Sequence, residues 1–157
     1  MVDTHAVLAL PQLCKDDSQL PLFFDGFTNM VRDGRLTFPD LVVKECQKYA
    51  YGEHVYTWIN AASGHRTHRA VPGQWQESVL GMCEEILDMD GEMEQAPLFV
   101  AAMALMLKEQ ISEVYVVTED RRDLPERKCL TEACKDIDVV TISAQELAIR
   151  NGLESYL

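Results

Sequence analysis

Hydrophobic residues recur at helical spacing through the first half of the chain. Residues 19–32 place their apolar side chains on one helical face, and Gly34 follows as a residue type that ends helices. The same reasoning predicts three further helices, at residues 45–51, 53–62 and 74–89. This half is therefore expected to be largely helical, with short extended pieces between the helices.

Short runs of β-branched and aromatic residues predict the strands. Val2 together with residues 6–10 predicts an extended piece on either side of Asp3, and residues 41–43 predict a second one. Residues 114–118 and 139–142 have the continuous apolar character of strands that are covered on both faces.

The second half also carries three predicted helices. Residues 98–107 are apolar on every side, which is typical of a helix buried between a sheet and other helices. Residues 124–137 predict another helix, and Ser143 with Glu146 forms a capping-box pattern that opens the last one. Strands that alternate with helices predict a single α/β domain over residues 1–157, a three-layer α/β/α sandwich with a short, mainly parallel sheet.

The net charge of the chain disfavours nucleic acids as partners. The chain has 14 Lys and Arg against 26 Asp and Glu, a net charge of −12, and 17 of the acids lie in residues 79–157. Six acids fall within residues 84–94, which we interpret as a solvated helix end and loop. Nucleic-acid binding by overall charge is disfavoured unless the basic residues cluster on one face.

The cysteines and the apolar segments indicate the cellular compartment in which we expect the protein. Five cysteines without a C-x-x-C pair or zinc-like spacing are expected to be reduced thiols. The apolar run 98–107 is shorter than the roughly 20 residues that span a bilayer, and no signal peptide is visible. We therefore expect a cytoplasmic protein that does not contact a membrane.

Three acids follow predicted strands, where the sites of parallel α/β sheets collect. They are Asp3, Glu45 after residues 41–43, and Asp120 after residues 114–118. Carboxylates that converge from separate strands form the oxygen cage that Mg²⁺ or Mn²⁺ prefers. Such an ion activates water for attack on a phosphodiester.

These acids and their order resemble the PIN-domain ribonucleases, which include toxins of bacterial toxin–antitoxin pairs. The motifs are Val-Asp-Thr-His at residues 2–5, Leu-Val-Val-Lys-Glu at 41–45 and Val-Val-Thr-Glu-Asp at 116–120. The resemblance implies that Asp3, Glu45 and Asp120 bind Mg²⁺ or Mn²⁺, with the Thr118 hydroxyl beside them. It also implies an endoribonuclease with an RNA substrate, an antitoxin protein as partner and a homodimeric assembly.

The chain departs from the family pattern at Pro97. PIN domains carry another acid at the start of the buried helix, and Pro97, which cannot bind a metal ion, stands in that place. Glu94 and Glu92, about one turn upstream, are the candidate substitutes. The alternative is a catalytically degenerate PIN-like module that acts by binding a protein.

Each candidate residue also has an ordinary structural interpretation. Asp3 is a suitable N-cap, Glu45 a first-turn residue of a helix, and Asp120 a turn residue. The loop containing His65 and His68 is interpreted as solvated and basic rather than metal-binding. The candidate contacts to RNA phosphates are Arg66, Arg69, Arg121 and Arg122.

Overall fold

Helices dominate the computed structural model, which describes residues 1–88 and 95–157. Within those ranges it contains eight α-helices and two β-strands. The helices are α1 (Thr4–Leu13), α2 (Leu20–Arg32), α3 (Asp40–Ala50), α4 (His54–Ala62), α5 (Gly73–Met82), α6 (Ala96–Lys108), α7 (Leu130–Asp136) and α8 (Ala144–Arg150). The strands are β1 (Tyr115–Val117) and β2 (Val140–Ile142).

The sheet is short and parallel, and the N-terminal segment extends it. In the register of β1 and β2, Val117 lies opposite Ile142. Val2 forms a parallel bridge on the other side of Val117, whose carbonyl accepts the Asp3 N–H at 3.1 Å. Three chain segments therefore run in one direction, and their carboxyl ends meet at one edge.

The predicted helices at residues 19–32, 53–62 and 98–107 are confirmed as α2, α4 and α6. In α6 every residue from Val100 to Ala104 is buried, because the helix packs against α3, α5, α7 and β1. The helix predicted after Ser143 is confirmed as α8, and the Ser143 side chain accepts the Glu146 N–H at 2.9 Å. One hydrophobic cluster links all of these helices and the sheet.

Two predicted extended pieces are wrong, because both are helical. Residues 6–10 belong to α1, and residues 41–43 belong to α3. In α3, Val42 and Cys46 are fully buried four residues apart, so packing along one helical face overrides the β-propensity of the valines. Glu45 therefore lies within a helix instead of following a strand.

Two other predicted helices are shorter than expected. The helix predicted over residues 124–137 is confined to α7, because Leu124 and Arg127 form a tight antiparallel bridge around Pro125. The helix predicted over residues 74–89 ends at Met82, and a 3₁₀ turn over Glu84–Ile86 follows. Residue 89 lies outside the described residues.

The observed class is mixed α/β, mostly helical with a short parallel sheet. Phe23, Phe27 and Trp58 form an aromatic group in its core, with the rings of Phe23 and Phe27 in edge-to-face contact at 5.0 Å. Among the described residues, the helices are too short or too polar to cross a bilayer. All five cysteines are free and buried in the structure.

Candidate active site

Asp3 lies at the carboxyl end of the N-terminal segment and caps α1. Its side chain is 1% exposed. Oδ1 accepts the Ala6 N–H at 2.7 Å, and Oδ2 accepts the Thr118 hydroxyl at 2.6 Å. The predicted N-cap role is thus confirmed, while the second oxygen reaches across to the segment that follows β1.

Thr118 joins Asp3 to Asp120. Its buried hydroxyl donates to Asp3 and accepts the Asp120 N–H at 2.9 Å. The main-chain N–H of Thr118 donates to the Ile142 carbonyl, so β2 fixes the position of the residue. Parallel pairing therefore brings two of the sequence-predicted acids to one edge of the sheet, with the predicted hydroxyl between them.

Asp120 is held by groups of the following segment. Its Oδ2 accepts the Arg127 Nη1–H at 2.7 Å and the Leu130 N–H at 2.9 Å, at the start of α7. Its main-chain carbonyl accepts both the N–H and the hydroxyl of Thr131. The carboxylate is therefore buried in an ion pair at the start of α7.

Glu45 connects α1 to the start of α6. Its Oε2 accepts the Thr4 hydroxyl at 2.6 Å, and its Oε1 accepts the N–H groups of Gln95 and Ala96, both at 2.9 Å. In the PIN domains that the motifs resemble, an additional acid is expected at the start of the corresponding helix, where this chain has Pro97. A carboxylate from α3 thus occupies the N-terminus of α6, and Thr4 connects it to the residue that follows Asp3.

Burial dominates the electrostatics of Asp3. It raises the pKa of this carboxyl to about 7, and the nearby charge of Asp120 adds to the increase. Hydrogen bonds from Thr118 and Ala6, and the charge of His5, act in the opposite direction but do not cancel the burial effect. A cation beside Asp3 would favour the charged form and remove much of this cost.

The oxygen donors have the chemistry that a hard divalent cation prefers. Their arrangement in the described residues, however, does not provide a complete set of ligands around one point. Within residues 1–88 and 95–157, three acidic, histidine or cysteine side chains do not come together in a group that could hold an ion. The predicted substitutes Glu94 and Glu92 lie outside the described residues. Asp3, Thr118 and Asp120 form the connected part of the site, and Glu45 reaches it through Thr4.

The four arginines predicted to contact RNA phosphates fall into two groups, one buried and one exposed. Arg66 is buried, and its guanidinium donates to the carbonyls of Ser63 and Phe38 and to Asp40, so it is committed to the fold. Its prediction as an RNA contact is wrong for this reason. Arg121, Arg122 and Arg69 are exposed, although Arg121 pairs with Glu119.

Arg127 is not among the residues singled out in the sequence. The structure buries this side chain against Asp120. A cleft of about 660 Å³ adjoins Arg127 and has acidic walls that include Glu84, Glu85 and Asp123. Asp120 and Arg127 are seven residues apart, a spacing that would place them on one face of a helix. The segment between them is not helical, and its turn at Leu124–Arg127 brings the two side chains together.

Comparison with known proteins does not add a relative: no family model, curated protein or solved structure matches the chain.

Proposed function

We propose that the chain is a metal-dependent endoribonuclease with a PIN-like three-layer α/β/α fold. The hydrogen-bonded connection Asp3–Thr118–Asp120 is the main support, since it joins the first and last of the three sequence-predicted acids at the carboxyl edge of parallel segments. The raised pKa of Asp3 gives independent support, because a buried carboxylate that is costly to charge is a frequent property of functional sites.

The residues of the site have distinct proposed roles. Asp3 and Asp120 hold Mg²⁺ or Mn²⁺ through carboxylate oxygens, and Glu45 and Glu94 complete the set of acids. Thr118 fixes the Asp3 carboxylate through its hydroxyl. When bound, the ion would supply an activated water and stabilise the charge that develops on the leaving oxygen.

The biological role that we propose is the toxin of a toxin–antitoxin pair. The support is the order of the three acidic motifs along the chain, which is the order found in the PIN-domain toxins that it resembles. RNA is then the substrate and an antitoxin protein the partner, and a homodimer is the proposed assembly.

Cleavage of RNA by three variants tests this proposal. We expect Asp3→Asn and Asp120→Asn to lose cleavage in Mg²⁺ or Mn²⁺, since each removes a carboxylate while keeping the shape of the side chain. Asp17→Asn is the matched control, because Asp17 is an exposed acid distant in sequence from the other two. Cleavage at the wild-type rate by both site variants, with their folding verified by circular dichroism, would contradict the proposal.

A second candidate function is a degenerate PIN-like module that binds a protein. One observation favours it: Arg127 and the Leu130 N–H already occupy Oδ2 of Asp120. Thermal unfolding with increasing Mn²⁺ separates the two functions. A metal-binding enzyme gains stability with the logarithm of the ion concentration above the Kd, whereas a degenerate site gives an unchanged Tm.

A further inference from the structure

We infer that a cavity beside the sheet binds an uncharged, largely apolar small molecule that carries a hydrogen-bond acceptor. The cavity, called here the β1 cavity, has a volume of about 540 Å³ and is lined by β1, by α8 and by residues at the ends of α2 and α6. This volume is within the range of about 300–1,000 Å³ that is usual for small-molecule sites. The inference goes beyond the proposed nuclease function and does not depend on it.

The β1 cavity is separate from the candidate active site. Tyr115 and Val117 are two residues apart in β1, so they share one face of the sheet, and both line the cavity. Ile142, which is opposite Val117 in the register, lines it as well. The site residues Asp3, Glu45, Thr118 and Asp120 are not among the lining residues. A ligand in the cavity therefore leaves the carboxylates of the site uncovered.

The floor of the β1 cavity is apolar. It is formed by aliphatic and methionine side chains that are at most 8% exposed, namely Met30, Leu36, Leu107, Val117, Ile142 and Leu147. These residues come from distant parts of the sequence, so the tertiary fold rather than one segment shapes the floor. Burial of apolar ligand surface against it is the main favourable contribution that the cavity offers.

The polar side chains at the exposed mouth of the β1 cavity are held by contacts within the protein. Arg35 Nη1 donates to Asn151 Oδ1 at 2.7 Å, and Asn151 donates to the Leu147 carbonyl at 2.8 Å. The Arg150 guanidinium lies over the Tyr115 ring, 4.8 Å from its centroid. Because these contacts already restrict the side chains, little conformational freedom has to be lost when a ligand binds.

The balance of charge at the mouth favours a ligand without net charge. Arg35 pairs with Asp33 at 3.1 Å, and Arg150 pairs with Glu146 at 2.5 Å. Glu113 lines the cavity and is exposed. Two arginines are thus offset by three acids, so neither an anion nor a cation meets a strong field of opposite sign. Either ion would also lose hydration above the apolar floor.

A hydrogen-bond acceptor on the ligand has a donor available at Arg35. A guanidinium has five N–H groups, and hydrogen bonds to Asn151 and Asp33 use two of those of Arg35 within the described residues. The Arg35 side chain lines the cavity and is 53% exposed, so its other N–H groups are open to a ligand. A carbonyl oxygen or ring nitrogen that accepts from them would orient the ligand at the mouth.

Fluorescence titration with prodan, an uncharged dimethylaminonaphthalene with a propionyl carbonyl, tests the inference. The emission of prodan moves to shorter wavelength in apolar surroundings, so we expect a saturable shift with one probe bound per chain. Ile111→Glu should raise the Kd at least about fivefold, because the ligand would desolvate a charged carboxylate in the cavity wall. Ile149→Glu is the matched control, since Ile149 is 50% exposed, against 48% for Ile111, and does not line the cavity. It should leave the Kd unchanged.

The acceptor is tested separately at Arg35. Arg35→Met keeps an apolar stem and removes the N–H groups, so the Kd of prodan should rise about 2- to 10-fold. The Kd of dimethylaminonaphthalene, which lacks the carbonyl, should not change. Arg32→Met is the control, because Arg32 is exposed in the last turn of α2 and does not line the cavity.

Several results would overturn the inference. The first is a titration without saturation, and the second is an equal Kd in Ile111→Glu and Ile149→Glu with folding verified by circular dichroism. Displacement of prodan by naphthoate or naphthylmethylammonium at lower concentration than by dimethylaminonaphthalene would contradict an uncharged ligand. If Ile111→Glu does not fold, Arg35→Met decides: a loss confined to prodan supports the inference, and an equal effect on both probes contradicts it. The nuclease proposal is tested independently by Asp3→Asn and Asp120→Asn.

Discussion

Arg127 and Asp120 form a buried ion pair, with the Arg127 Nη1 atom 2.7 Å from Asp120 Oδ2 and the two side chains 1% and 5% exposed. Arg127 also donates to the Lys128 carbonyl. The pair connects the segment after β1 to the turn that precedes α7. It therefore fixes the position of one predicted metal ligand through a residue outside the resemblance.

Removing one partner of this pair is expected to be costly. Arg127→Ala leaves the Asp120 carboxylate buried without its counter-charge, and a loss of about 3–5 kcal/mol in the free energy of unfolding follows. Adding Asp120→Asn should recover part of that loss, because the unpaired charge is removed. Urea unfolding of the single and double variants measures both effects.

The control for this cycle is the exposed pair of Arg150 and Glu146, which are four residues apart on α8. Arg150→Ala should cost less than about 2 kcal/mol, since solvent screens the ion pair and the contact of the guanidinium with the Tyr115 ring contributes about 0.5–1 kcal/mol. An Arg127→Ala variant that is no less stable than Arg150→Ala would show that the buried pair does not organise this segment.

The stability of the metal-free protein should depend on pH through Asp3. Burial raises the pKa of the folded carboxyl to about 7 from an ordinary value of 3.8. The unfolded chain therefore loses this proton first, and stability falls as the pH rises from about 4 to 7 and is then constant. Asp3→Asn removes this contribution, so the variant should gain stability over the wild type as the pH rises through that window.

Denaturant unfolding in EDTA at several pH values from 5 to 8 checks this dependence. Asp17→Asn serves as the control, because Asp17 is an exposed acid outside the site. A pH-independent difference for Asp3→Asn would mean that the folded protein charges this carboxyl at its ordinary pKa.

Hydrophobic periodicity predicts most of the helices. Where the prediction fails, tertiary packing has overridden the local pattern. The helices α2, α4 and α6 carry their burial pattern in the local sequence, so their positions follow from it. The valines of residues 41–43 have a strand-like composition, but their burial depends on contacts of α3 with α1 and α6 that are distant in sequence. Local propensity does not contain that information.

The sequence predicts the part of the site that the parallel segments bring together. Asp3, Thr118 and Asp120 follow paired segments, so their meeting at one edge follows from the expected sheet. Glu45 reaches the start of α6 from within a helix, by a route that the sequence pattern did not indicate. The role of Arg127 depends on the turn at Pro125, whose geometry is not encoded in a periodic pattern.

The thiols should be unreactive in the folded protein. Burial raises the pKa of Cys134 to about 12, and all five cysteines are buried. The thiolate is the reactive form of cysteine. A thiol reagent at pH 8 should therefore label the native chain slowly, whereas it should label all five cysteines once the chain is unfolded. Cys14, which is 9% exposed, should react first. Rapid labelling of Cys134 in the native chain would show that the core around it opens.

The close approach of α2 to Leu153 can be tested at Gly26. A Cβ atom added at this glycine would lie 2.6 Å from Leu153 Cδ2, so Gly26→Ala forces the leucine side chain to move. We expect this movement to lower the free energy of unfolding by about 1–3 kcal/mol. The better helix propensity of alanine offsets only part of that loss. Gly81→Ala is the matched control, since Gly81 is in α5 with open space around it, and it should stabilise the chain by about 0.4–1 kcal/mol. Combining Gly26→Ala with Leu153→Ala should cost less than the sum of the two single changes in thermal unfolding, because the shortened leucine removes the clash. Strict additivity of the two changes would mean that α2 and residue 153 do not pack as described.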